Sequence, residues 1–477
     1  MRSTDSIAEP RSKQQAKLLR ILGVTFAVAV TIGTMIGIGI LRTPGIVAAQ
    51  LGNIWLVIAV WLIGGVYAFL STICVTELGT MFPQAGGWYI YARRAFGDYG
   101  GFVVGWSNWI AFCTALDFLA TALGDYLRAL LPNIGASDKA IGLIVLLVFS
   151  LLQWFGLRFG SGIQKLISSI QAMAFLSLVA TCFLAPGTHP VAALESGGLK
   201  TPATWPAMFV AFVVALQSVI FTYDGWYTAI YFTEEDVNPV RNLPRSMISS
   251  VLGVMALYVL IICALLYVLP LAQLAGSQLP AADAAEVIFG RYGKLFITAI
   301  STVSILSVIN STILVNSRIL FAMGRDRLFV RQATAVNAGG TPTLALAFTT
   351  IASILLIVSG TVDTLLAITT FFFVIMYGSG FLSLILLRKR MPDLARPFKV
   401  WLYPWSAFVV LAISIFFVLG TIISDAVNSA YALLMLAASY PAYLLIRDNE
   451  PRPTIPHSNM NDAPNQTLQP TAGRSDV

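Results

Sequence analysis

The side chains of this chain that could carry out bond chemistry are few, and most are sunk in apolar sequence. The two histidines, His189 and His457, fall in a predicted loop and in the C-terminal tail. Cys74, Cys113, Cys182 and Cys263 stand far apart inside apolar runs, which fits neither a metal site nor a disulfide framework. They read as small buried hydrophobes. No nucleophile has a base beside it, so the expectation is no enzyme, no metal and no cofactor. The chain also lacks a phosphate-binding P-loop, which argues against direct drive by ATP. What remains is chemistry done by the backbone. In "TIGTMIGIGIL", residues 31–41, Gly33, Gly37 and Gly39 interrupt an apolar run that stays uncharged until Arg42. A glycine inside a helix costs roughly 1 kcal/mol against alanine. In hydrocarbon, irregular backbone survives only where it lines a cavity, so such a run points to a site.

A second interruption lies in "VIFTYDGWYTAIYFTEE", residues 219–235. Asp224-Gly225 is a turn-favouring pair within an apolar stretch. Asp224 is also ionisable there, which marks function. Unwinding a helix exposes N–H groups at the start of one half, and their dipole favours a carboxylate. It exposes carbonyls at the end of the other half, and these accept from an ammonium. Two such breaks face to face make a receptor for a zwitterion, and an α-amino acid fits that description.

The elements that must position these breaks are membrane helices. The chain is 57% hydrophobic and 11% charged, with a mean hydropathy of +0.80. Soluble proteins carry about 25% charged residues. A spanning helix needs about 20 apolar residues. Twelve segments qualify: 22–46, 54–80, 100–130, 139–156, 163–186, 206–232, 246–270, 286–322, 343–360, 363–387, 402–423 and 428–446. The longest, 286–322, is expected to project its last turns into the cytoplasm. The breaks fall in segments 1 and 6, five helices apart, the spacing of a five-plus-five inverted repeat. With the N-terminus inside, 23 of the 29 Lys and Arg residues lie on the inner side. That bias places both termini in the cytoplasm and explains the basic pI without nucleic acid. The expected organisation is a cytoplasmic tail at 1–20, a membrane domain at 21–447 and a cytoplasmic tail at 448–477. Within the membrane domain, repeat one covers about 21–186, repeat two about 205–387, and helices 11 and 12 about 402–447. The last tail is rich in Pro, Asn, Thr and Ser and reads as disordered. The start of the chain is polar and reads as no cleavable signal.

The stretches "GTMIGIGILRTPG", "ELGTMFPQAGGWYIYARRAFG", "GFVVGW", "FTYDGWYTAIYFTEEDVNPVRNLPRSM" and "NSRILFAMGRDRL" follow in order. Over about residues 20–445 the chain resembles the amino acid-polyamine-organocation superfamily of permeases, most closely its L-type amino acid transporter branch. The resemblance implies the leucine-transporter fold, twelve helices and alternating access. It implies that the backbone of Met35, Ile38 and Gly39 holds the substrate carboxylate. The carbonyls of Phe221, Thr222 and Asp224 take the ammonium, and Phe221 gates the substrate. Glu234 and Glu235 end the motif, with Arg241 and Arg245 close enough to pair. Many relatives carry a lysine in segment 5 where it replaces a sodium ion; here the matching position is Gln171. Lys165, near the membrane edge, reads as a topology charge. A serine common in the glycine loop is Ile38, and an asparagine common after the "GW" is Tyr227. Animal relatives pair with a glycoprotein through a cysteine between segments 3 and 4. The loop "LPNIGASDKA" has none, so no disulfide-linked heavy chain is expected.

Asp117 lies midway along segment 3, with Asp125 nearer its outer end. Asp117 can be a neutral carboxyl bonded to a neighbouring helix, a proton relay, or the receiver of a cationic side chain. With Asp224 and Gln171 it is a candidate for coupling. Asn310 and Asn316 read as bonds between helices. Trp205 and Trp401 read as interfacial anchors, and Trp226 as pocket wall. The function expected is secondary transport of amino acids, neutral L-amino acids from the apolar Met35, Ile38, Phe221, Trp226 and Tyr227, by sodium-independent exchange or proton symport. A permease for cationic amino acids or polyamines is the alternative within the class, and an amino-acid sensor on a transporter fold the alternative outside it. The expected location is the cell membrane, plasma or inner, with an amino acid and the bilayer as partners and the oligomeric state open.

Overall fold

A backbone in hydrocarbon must satisfy its own hydrogen bonds, and the long apolar runs of this chain do so as α-helices. The computed structural model describes residues 18–131, 133, 135–184, 204–359 and 362–447. The helices in chain order are α1 (Val24–Met35), α2 (Gly39–Leu51), α3 (Ile54–Met81), α4 (Trp88–Leu130), α5 (Asp138–Trp154), α6 (Leu157–Leu184), α7 (Trp205–Thr222) and α8 (Pro239–Val268). There follow α9 (Leu271–Gly276), α10 (Pro280–Phe289), α11 (Tyr292–Arg325), α12 (Thr343–Ser359), α13 (Val362–Arg390), α14 (Trp405–Ser424) and α15 (Ala426–Arg447). A 3-10 turn covers Thr228–Phe232. Among the described residues there is no strand, only two isolated bridges. The reading of residues 448–477 as disordered, the tail residues 1–17, and both histidines lie outside the described residues.

Among the described residues nine helices are long and apolar enough to cross a membrane. The pair α1 and α2, bent by 43° at its break, makes a tenth. α5 and α12 have 17 residues each. That is about 25 Å of helix, short of an average hydrocarbon core. Local chemistry sets several boundaries. The Asn53 side chain accepts from the N–H groups of Trp55 and Leu56 and starts α3. Ser137 does the same for α5, and Thr204 for α7. The expected single run at 286–322 is instead two helices. Gly290, at φ +59°, ends α10, and α11 starts anew at Tyr292. α4 is longer than expected. It starts at Trp88 and bends at Gly97, whose φ is +83°.

α4 stands at the centre, packed against α13, α11, α5 and α12. α1 packs on α8, α6 and α11, and α2 on α7 and α9. Both glycine-bearing breaks are therefore held inside the bundle. Asn310 and Asn316 bond between helices, to Gln164 Oε1 at 2.8 Å and to the Trp109 carbonyl at 3.3 Å. Trp205 is exposed at the start of α7, and Trp401 in the turn that leads into α14.

One end of the bundle is bolted by ion pairs. Arg318 and Glu235 are both fully buried, joined at 3.0 and 3.2 Å, with the guanidinium over the Phe232 ring. Burial pushes the Glu235 carboxyl upward, and the Arg318 charge pulls against it. Glu234 takes Arg325 at 2.7 Å and the Ala85 N–H at 2.9 Å. Glu77 holds Arg388 and the Val400 N–H. The expected partners Arg241 and Arg245 do not make these pairs; they lie on the first turns of α8, while α11 presents Arg318 and Arg325 to the acids. Nor do the last turns of α11 project freely, since Arg318 is buried. The Ile21 and Leu22 N–H groups donate to the Glu235 carbonyl, and Val237 N–H donates to Leu22, so the start of the chain is stitched to the same end.

Removing one partner of a buried pair costs roughly 3–5 kcal/mol. Arg318→Ala should therefore sharply lower the thermal midpoint of the purified protein in detergent. The double variant Glu235→Gln with Arg318→Met should recover most of it. Equal midpoints for Arg318→Ala and the unaltered protein would show the pair to be unimportant for stability.

Candidate functional site

The first break is short and its geometry is explicit. Ile36 sits at φ −78°, ψ 75°, and the Gly37 N–H donates to the Met35 carbonyl at 2.9 Å. That is an inverse γ-turn. α2 then starts at Gly39 with no side-chain cap and no acid in its first turn. No backbone carbonyl among the described residues takes the N–H of Ile38 or Gly39 outside the helix. A bare positive helix end thus stands inside the bundle. A methyl built on Gly37 would meet nothing nearer than 4.0 Å, so there is room beside it.

The second break begins where α7 ends at Thr222. Gly225 has φ +102°, in the left-handed region that favours glycine. The Thr228 N–H and hydroxyl both donate to the Gly225 carbonyl and open the 3-10 turn. A methyl on Gly225 would lie 2.8 Å from Thr34 Cγ2 and 3.0 Å from the Met35 nitrogen. One on Gly39 would lie 3.2 Å from the Thr222 side chain. The two breaks therefore touch each other directly, backbone to backbone.

Freed carbonyls find specific donors. Tyr258, from α8, donates to the Met35 carbonyl at 2.6 Å and lies 3.2 Å from the Thr222 carbonyl. Gln171, from α6, donates from Nε2 to the Ile36 carbonyl. The Phe221 carbonyl receives the Asp224 N–H at 3.1 Å. Thr43 and Thr222 share a hydroxyl bond of 2.8 Å. The half-buried Asp224 carboxylate accepts from Tyr377 and, at 3.5 Å, from Tyr227.

Met35, Ile38, Gly39, Thr222, Asp224 and Gly225 are thus brought together, with Gln171 behind them. Phe221 is 42% exposed, beside the breaks rather than inside the core. Trp226 and Tyr227 are buried in an aromatic cluster with Trp88, Tyr377 and Phe381. They back the second break rather than face open space. Gly33 is not at a break. It lies inside α1, where a methyl would fall within 2.5 Å of Ser168, Gln164 and Ser307. Its smallness lets α1 approach a polar seam of α6 and α11. Asp117 lies on α4, fully buried, and among the described residues neither of its carboxylate oxygens has a hydrogen-bond partner. Its neighbours Leu116 and Ala120 belong to the cluster on which Ile38 packs. Tyr258 and Tyr377 escaped the sequence reading. The signal was there: a tyrosine in an apolar helix needs a partner for its hydroxyl.

Gly225→Ala forces a strained backbone and a clash, together worth about 1–3 kcal/mol. It should lower both thermal midpoint and activity. Tyr258→Phe removes the one hydrogen bond that its hydroxyl donates, at a cost of about 1 kcal/mol, so its melting loss should be smaller. A Gly225→Ala protein as stable as Tyr258→Phe would contradict the direct contact of the breaks.

The family model described as amino acid permease matches residues 22–445. The serine/threonine exchanger SteT of Bacillus subtilis is 29% identical over 89% of this chain and 96% of its own. The b(0,+)-type amino acid transporter 1 of Mus musculus is 27% identical over 90% of this chain and 88% of its own. The large neutral amino acids transporter small subunit 2 of Homo sapiens is 26% identical over 90% and 80%.

Proposed function

Because this chain belongs to the amino acid permease family, we propose that it is a secondary transporter of neutral L-amino acids, bound at the crossed breaks and moved by alternating access. The observation that carries this reading is the bare start of α2 at Ile38 and Gly39, set against the acceptor-rich end of α7. The substrate carboxylate takes the N–H groups of Ile38 and Gly39, with Met35 beside them. The ammonium takes the carbonyls of Phe221, Thr222 and Asp224, and the Asp224 carboxylate stands near as a negative charge. Phe221, exposed beside the breaks, closes over the substrate. The side chain lies against Ile38 and Phe221, which suits an apolar or small neutral residue.

The architecture proposed is twelve spans in the leucine-transporter fold. α1 with α2, and α7 with its 3-10 turn, are the two broken spans; α5 and α12 are the two short ones. Repeat one then covers about 21–186 and repeat two about 205–387, with helices 11 and 12 at about 402–447. The Lys and Arg bias puts both termini in the cytoplasm of a cell that carries the protein in its plasma or inner membrane. No disulfide-linked partner is proposed.

Gln171 supports sodium-independent transport. Its amide supplies the hydrogen bond to Ile36 but no charge. Exchange of one amino acid for another needs no ion, and a relative is named as an exchanger. Proton symport through Asp117 or Asp224 is the second mechanism, favoured by the unpartnered carboxyl of Asp117. The same carboxyl is what would favour a cationic amino acid or polyamine as substrate.

The test is uptake by proteoliposomes of the purified chain, loaded with buffer or with amino acid. Uptake should depend on internal amino acid and ignore a sodium gradient. Serine, threonine, leucine or phenylalanine should compete better than arginine or lysine. Gly39→Ala should cut uptake at least tenfold at normal insertion, roughly the 1.4 kcal/mol that a displaced carboxylate loses. Sodium-driven accumulation would refute the coupling, and proton-driven accumulation lost in Asp117→Asn would select symport. Undiminished Gly39→Ala uptake would refute the site. Binding of amino acid without any flux would leave a sensor.

A further inference from the structure

We propose that a basic cavity between the start of α1 and the start of α6 binds a phosphate-bearing anion, supplied by the headgroup of an anionic lipid. The cavity holds about 330 Å³ and is lined by Gly23, Thr25 and Phe26 on one side and by Arg158, Ser161 and Lys165 on the other. Among the described residues no carboxylate lines it. Arg158, Ser161 and Lys165 stand at i, i+3 and i+7, so they share one face of α6 along about 10 Å. Neither cation takes part in an ion pair or side-chain hydrogen bond among the described residues. Two unpaired positive charges on one cavity wall repel each other unless an anion sits between them.

The acids bonded through the backbone to the chain just before α1 are already committed. Glu235 belongs to Arg318, and Asp236 accepts from the Asn238 N–H and the Asn242 amide. The α1 start adds a third favourable element, since it has neither a capping side chain nor an acid in its first turn. Lipid is favoured as the source by what flanks the cations. Phe155, Phe159 and Leu166 are each more than 60% exposed. They offer an apolar surface for acyl chains next to the charged wall. Basic pockets between membrane helices on the cytoplasmic side suit anionic headgroups. The orientation proposed above decides only which leaflet supplies the lipid. An occupant would join α1, which carries the first break, to α6, which carries Gln171.

The experiment uses the purified full-length protein in neutral detergent. Native mass spectrometry measures retention of dioleoyl phosphatidylglycerol and of dioleoyl phosphatidylcholine. Thermal unfolding is followed with and without millimolar inorganic phosphate. Arg158→Gln with Lys165→Gln is compared with Lys389→Gln, a basic surface change elsewhere. Phosphatidylglycerol should be retained over phosphatidylcholine, and the double variant should retain it roughly 30-fold more weakly, with Lys389→Gln unchanged. Stabilisation by inorganic phosphate that the double variant loses, without lipid retention, would keep the anion site and change its source to a soluble phosphate. Equal behaviour of the double variant and the unaltered protein, or an equal loss in Lys389→Gln, would overturn the proposal and leave two solvated surface cations. None of these readouts depends on amino acid transport.

Discussion

A peptide group with no partner in hydrocarbon costs several kcal/mol, and the centre of this structure is organised around that cost. Breaking α1 from α2 and ending α7 early frees carbonyls and N–H groups deep in the bundle. The carbonyls are answered by particular side chains. Tyr258 serves Met35, with the Thr222 carbonyl alongside, and Gln171 serves Ile36. Among the described residues, the N–H groups of Ile38 and Gly39 have no such answers. The asymmetry is chemically meaningful. The side that neutral donors can satisfy is satisfied, while the α2 start has neither a capping side chain nor an acid in its first turn.

The fold was largely legible because its signals are long and repeated. Apolar runs predicted a helix at each of the twelve segments, while the capping side chains of Asn53, Ser137 and Thr204, which hydropathy does not mark, set the starts of α3, α5 and α7. Errors arose where one residue outweighed the pattern. Gly290 divides a continuous apolar run because its left-handed backbone ends α10. Hydropathy has no access to that. At the site, the pair Asp224-Gly225 was readable because two rules coincided there. Gly33 was misread because a packing glycine and a break glycine look alike in sequence. Only the neighbours, Ser168 and Gln164 against Gly33 and Thr34 against Gly225, tell them apart.

Partners across the bundle were the least legible. Nearness in sequence suggested Arg241 and Arg245 for Glu234 and Glu235. The helix that brings cations to those acids is α11, more than eighty residues away. Its arginines stand seven apart at 318 and 325, two turns on one face. The pattern was visible, but its direction depended on packing. The same is true of Tyr377, which reaches Asp224 from α13.

The Glu235–Arg318 pair has a consequence for how this end of the molecule responds to its surroundings. Neither side chain touches solvent. Dissolved ions weaken attraction between charges only where they can gather around them, and within a dry core they cannot. The outer pairs, Arg325 with Glu234 and Arg93 with Asp326, keep partial exposure and feel the ionic strength of the medium. A change of salt therefore loosens the rim of this end and leaves its centre locked, so the two layers of charge answer to different conditions.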